Sequence, residues 1–212
     1  MKNTLILMSF LATAGSVHAQ LLLNEAIQVD FGPTVSTGNI NNYTAAAPGN
    51  IAAGTLVKTT GGTVSNVGLT VGGNIFFSNN DALDTATGTP FGANAQTDWI
   101  GVPDGTSFTL TFTGLNPALI YDVVLGGMFF HEGANTRWSV SGAADQTTNS
   151  GSATASYVSF TGLGASGGNL TLTGFQINDA AVVSAVQITA IPEPSAALLS
   201  GLGLLALLRR RR

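Results

Sequence analysis

The stretch SFTLTFTG, Ser107 to Gly114, alternates without a slip: Phe108, Leu110 and Phe112 fall on one side, Thr109, Thr111 and Thr113 on the other. Side chains change face at every residue of a strand, whereas a helix would scatter these three apolar residues around its circumference. The stretch is therefore a strand with one face in a core and one in water, closed by the turn residue Gly114. The same reading spreads outward to IQVDFG, TRWSVSG, SYVSFTG, NLTLTG and AVVSAVQIT, each bounded by Gly, Asn or Ser. LIYDVVLGG (Leu119 to Gly127) is apolar on nearly every position and so reads as a central strand. Between residues 20 and 190 no segment carries a convincing 3.6-residue period. Roughly ten short strands without helices predict an all-β fold, a two-sheet β-sandwich that is jelly-roll-like. The endings FTG, FTG and LTG at Gly114, Gly162 and Gly174 share no fixed period, which argues against a solenoid.

The two ends have a different character. Lys2, the apolar run Leu5 to Ala12 and the small-residue step Val17-His18-Ala19 are laid out as a secretory signal peptide over residues 1–19, a short signal helix that leaves a mature chain beginning at Gln20. At the other end Pro192-Glu193-Pro194 precedes an uncharged run, Ser195 to Leu208, and the cluster Arg209, Arg210, Arg211 and Arg212. Each proline removes a donor and holds its predecessor extended, so the triplet stays outside the hydrophobic helix expected over 195–208. Fourteen residues make a helix of roughly 21 Å against a hydrocarbon core of about 30 Å, so it spans only with help from its flanks. Four arginines beside it favour the cytoplasmic side.

Triplet, apolar helix and arginine cluster, in that order over 191–212, resemble the PEP-CTERM sorting signal of Gram-negative bacteria. The resemblance implies an exosortase-type protease as partner, acting at the triplet after transient anchoring in the membrane. It also implies a final place at the cell surface or outside the cell, often alongside exopolysaccharide.

Between the signals, residues 20–190 suit one β-sandwich domain. In that stretch Lys58 and Arg137 stand against ten carboxylates, leaving it eight charges negative, although the whole chain is only at −4. A body this acidic repels phosphate backbones, and nucleic acid is excluded as a partner. The chain has no cysteine, which removes disulfides, thiolate metal sites and a cysteine nucleophile. Its recurring Phe, Val, Ile and Leu distinguish it from a disordered chain. GLNPALIYDVVLGG, TRWSVSG, ASYVSFTGL and AVVSAVQI, with the earlier VDFG as a first strand, are similar to a bacterial extracellular module with a galactose-binding-like jelly roll. Many modules of that fold bind sugars.

Chemistry-bearing residues are sparse. His131 with Glu132 lacks the convergent partners of a metal or a triad, there is no GxSxG elbow, and the pair reads as a polar loop. No catalytic residue is assigned. Asp98 and Asp104 are the best pair on offer for a glycosidase, which needs only two carboxyls facing each other across the fold. In SNNDALD, Asn79, Asp81 and Asp84 are hard oxygen ligands in a turn, which suit a structural calcium; no other cofactor is expected. Trp99, among turn residues with Asp98 as an acceptor, is the candidate aromatic for stacking on a sugar, whereas Trp138 alternates with Val140 and reads as core. The threonine faces lack the regular repeat of an ice-binding array and read as solvated strand surface. The sequence thus predicts an exported, non-enzymatic surface or matrix protein in contact with exopolysaccharide. The alternative is a secreted carbohydrate-active enzyme using paired carboxylates.

Overall fold

A computed structural model describes residues 20–44, 49–64, 66–78, 90–91, 98–103, 105–127, 134–149 and 156–192. The signal helix expected over 1–19 and the hydrophobic helix expected over 195–208 lie outside the described residues. No helix among those described is long and apolar enough to cross a membrane.

The fold is all-β. Among the described residues thirteen strands follow in chain order: β1 (Ala26–Phe31), β2 (Asn41–Tyr43), β3 (Gly68–Gly72), β4 (Phe76–Ser78), β5 (Trp99–Val102), β6 (Ser107–Thr113), β7 (Ile120–Gly127), β8 (Asn135–Val140), β9 (Gln146–Asn149), β10 (Ser156–Gly164), β11 (Leu170–Asn178), β12 (Ala181–Val183) and β13 (Ala185–Ile191). They form two five-stranded sheets, ordered β10-β7-β13-β1-β2 and β3-β6-β11-β8-β9, and a three-stranded sheet, β12-β5-β4. Every pairing is antiparallel except β1 with β2, which is parallel.

The period-two pattern becomes the core. Phe108, Leu110 and Phe112 of β6 point inward with Leu170 and Leu172 of β11 and Trp138 of β8, and they meet Ile27, Val29 and Phe31 of β1 and Tyr121, Val123 and Leu125 of β7 in one buried cluster. Trp138 is core, as expected. Its ring meets Phe108 edge-on at 5.4 Å, and its Nε1 donates to Thr148 Oγ1 at 3.1 Å, so the indole is buried without a wasted donor. Strand β7 lies between β10 and β13, the central position its apolar sequence predicted.

The stretch AVVSAVQIT reads as one strand and is two. At Ser184 the chain leaves the small sheet and enters the first large one: Ser184 N–H donates to Gly126 O at 2.9 Å, and Ser184 O accepts from Phe31 N–H at 2.8 Å. The buried hydroxyl of Thr136 ties the same joint to the second sheet. It accepts from Val182 N–H at 2.7 Å and donates to Val182 O at 3.2 Å, doing for β12 what a neighbouring strand's backbone would.

Candidate functional site

Two outer faces of the sandwich carry groups that could act on something else. On β1 the alternation that sends Ile27, Val29 and Phe31 into the core sends Gln28 and Asp30 to the outer face of the first sheet. Register places Asp30 opposite Ala185 of β13 and Asn42 of β2. Around β1 and β13 this face is covered. Pro90 O accepts from Gln28 Nε2 at 2.7 Å, and Phe91 packs on Ala185 and Val124. The loop after β1 folds back over Asp30, held by Asn42, whose Oδ1 accepts from Ser36 N–H at 2.7 Å and whose Nδ2 donates to Ser36 O at 3.0 Å.

Asp98, just before β5, enters the same place from a distant part of the chain. Its Oδ2 accepts from Thr34 N–H, and its carboxyl lies so close over Gly32 that a Cβ there would overlap it. Glycine is required at Gly32 for this approach. Asp30 and Asp98 thus form a buried acid pair, 1% and 0% exposed. Burial pushes Asp30 up to about 7; the approach of Ser36 opposes that rise, and the Asp98 charge adds to it. Burial raises Asp98 as well, against the hydrogen bond from Thr34. Ser36 nears Asp30 without reaching hydrogen-bond geometry. Both Asp30 oxygens, Asp98 Oδ1 and Ser36 Oγ are buried without a hydrogen-bond partner among the described residues. Unpaired buried oxygens cost about 1–3 kcal/mol each, and charged ones more, so this is the most polar tension the described fold holds.

The second sheet turns an open face to water. Its register lines up Thr70, Thr111 and Thr171 in one row, Thr109, Thr173 and Ser139 in the next, and Phe175, Arg137 and Thr147 in a third. Thr111 and Thr171 hydroxyls meet at 3.0 Å. The Arg137 guanidinium lies over the Phe175 ring, 4.7 Å from its centroid, and its Nε is 3.7 Å from Asp145 Oδ2. Exposed on both sides, that ion pair contributes little to stability. The other body cation, Lys58, donates to Glu25 Oε1 at 2.7 Å.

The sequence-predicted residues fare unevenly. The exposed sugar platform expected of Trp99 is corrected: it lies on β5, not in a turn, and is 4% exposed, packed edge-to-face on Phe76 and clustered with Ala180 and Val182. Asp98, expected beside it as an acceptor for a sugar, is fully buried against Gly32. Asp104, Asn79, Asp81, Asp84, His131 and Glu132 lie outside the described residues, and so do Glu193, Pro194 and Arg209 to Arg212. Pro192 is exposed and directly follows β13. No group of three or more His, Cys, Asp or Glu that could hold a metal occurs among the described residues. The partner that Asp98 does meet, Asp30, was missed; the VDFG signal marked it only as a strand residue.

Residues 190–212 match the PEP-CTERM protein-sorting motif, so the chain carries a signal that marks it for export to the cell surface or beyond. No curated protein matches the chain. Among solved structures, the exo-β-1,3-galactanase from Phanerochaete chrysosporium with galactose is similar over 56% of this chain and 26% of its own, at 16% identity and a TM-score of 0.35. This chain therefore spans about a quarter of that enzyme's length. The CBM36-1 domain of a multidomain xylanase from the hindgut metagenome of Trinervitermes trinervoides is similar over 57% of this chain and 95% of its own, at 16% identity and a TM-score of 0.34. TmCBM61, in complex with β-1,4-galactotriose, is similar over 59% and 88%, at 13% identity and a TM-score of 0.32.

Proposed function

We propose that this protein is delivered to the surface of a Gram-negative cell by exosortase-type processing at Pro192-Glu193-Pro194, after transient anchoring through 195–208 and Arg209 to Arg212. There its sandwich contacts extracellular polysaccharide without catalysis. The observation that carries the contact is the open face of the second sheet. Strands about 4.8 Å apart, with same-face residues about 6.8 Å apart along each, present a grid of hydroxyls that both donate and accept, and Phe175 with Arg137 at its margin. Such a grid suits a ligand made of hydroxyls. The two body cations are each engaged by a carboxylate, and the body is acidic, so an uncharged chain suits this face better than an anionic one.

Against the alternative of a carbohydrate-active enzyme stands the burial of Asp30 and Asp98, since a glycosidic bond has to pass between two reachable carboxyls. Co-sedimentation with the host's own extracellular polysaccharide tests the contact. The wild-type chain should pellet with it, and a chain carrying Thr109→Val, Thr111→Val and Phe175→Ala should bind about tenfold more weakly, the loss of roughly 1.4 kcal/mol expected for two or three hydrogen bonds and a ring. Equal binding by both chains moves the contact off this face; no binding by the wild type ends the reading. Mass spectrometry of surface protein from the host tests delivery, which fails if Arg209 to Arg212 are still attached there.

A further inference from the structure

We propose that the acid pair beneath the Gly32 turn is a calcium site, with Asp30, Asp98 and Ser36 supplying oxygen ligands. The inference is independent of the polysaccharide reading. Three separate segments, the end of β1, the loop that follows it and the residue before β5, meet here: Asn42, opposite Asp30, holds Ser36, and Asp98 lies over Gly32, two residues beyond Asp30, while both oxygens of Asp30, Oδ1 of Asp98 and Oγ of Ser36 are buried without hydrogen-bond partners among the described residues. Ser36 is 4% exposed, and its unpartnered hydroxyl approaches Asp30, so the pair is not merely two acids that happen to be near each other.

Neither cation among the described residues neutralises the pair. Lys58 is engaged with Glu25, and Arg137 lies on the outer face of the opposite sheet. A divalent cation would balance both carboxylates and turn all four oxygens into ligands. The donor set is hard oxygen without nitrogen or sulfur, which selects calcium or magnesium over zinc and copper. Magnesium demands a near-ideal octahedron and gives up its waters reluctantly, while calcium accepts irregular sets of oxygens, bidentate carboxylates and backbone carbonyls. Ligands gathered from three segments, one of them a carboxylate with both oxygens free, match calcium. Gly32 fits the same account, because its missing side chain leaves the room that brings Asp98 to Asp30. Bound there, the ion would fasten the loop after β1 and the approach to β5 onto the first sheet.

Thermal melting of the full chain, stripped with a chelator and held at about pH 8, tests this. Calcium at about ten times its dissociation constant should raise the melting temperature by about 3–5 °C, with magnesium giving a clearly smaller rise. Calorimetry should count one ion per chain. Asp30→Asn, which keeps the shape and removes the charge, should abolish the shift. Ser36→Ala, which leaves both carboxylates in place, should weaken calcium binding several-fold and is the variant to read if Asp30→Asn does not fold. The proposal is overturned if calcium leaves the wild-type melt unmoved, or if magnesium matches calcium. It is also overturned if Ser36→Ala binds calcium as tightly as the wild type, or if the shift survives Asp30→Asn, which would place the ion elsewhere in the chain.

Discussion

The two large sheets share one core and differ in what they do with their outer faces. The first sheet hides the part of its face around β1 and β13 beneath Pro90, Phe91 and the loop after β1, and in doing so buries two carboxylates and a hydroxyl of whose five oxygens only Asp98 Oδ2 has a partner among the described residues. The second leaves its face open, and its threonines need no partner because water supplies one. The same residue chemistry is costly on one side and nearly free on the other. Oxygens on the covered face affect stability, whereas oxygens on the open face are available for recognition.

The largest expected effect is pH dependence under metal chelation. Asp30 stands at about 7 in the fold and at 3.8 unfolded, so between those values the folded chain keeps a proton that the unfolded chain has released. Its contribution to stability is then fully present below about pH 4 and lost as pH rises through 7, up to about 4 kcal/mol in all. Urea melts across that range, with Asp30→Asn expected to flatten the slope, check it. A wild-type profile that is flat, or that rises with pH, would remove the difference between the faces. Next comes Gly32→Ala, whose Cβ is forced against the Asp98 carboxyl; a loss of about 1–3 kcal/mol should appear as a lower urea midpoint with an unchanged slope. The smallest is Thr111→Val on the open face, expected within about 0.5 kcal/mol of the wild type in the same assay. A larger loss there would mean that the open face holds the fold together as well.

Much of the sandwich was legible because long strands with one wet face print their period into the sequence, as Phe108, Leu110 and Phe112 do. The short strands were not. β2 and β4 have three residues each, too few to show a period, and β5 was hidden because Gly101 and Pro103 look like turn residues, although Ile100 and Val102 already alternate correctly behind Trp99. Ser184 looked like one more polar strand residue, since a change of sheet leaves the alternation intact on both sides of it. The acid pair was illegible for a different reason. Asp30 sits where a wet residue belongs, and only a loop folding back and a residue 64 positions beyond Thr34 bury it. Local pattern carries no record of such distant covering.

The position of β13 has a mechanical consequence. It lies between β7 and β1, hydrogen-bonded along both edges, and one residue past its end comes Pro192, the first of the sorting triplet. Any tension drawn through the tail is delivered along the axis of a strand flanked by two antiparallel neighbours. Such a load shears both ladders at once instead of peeling one bond after another. A pull on the tail therefore meets the two ladders of β13 together.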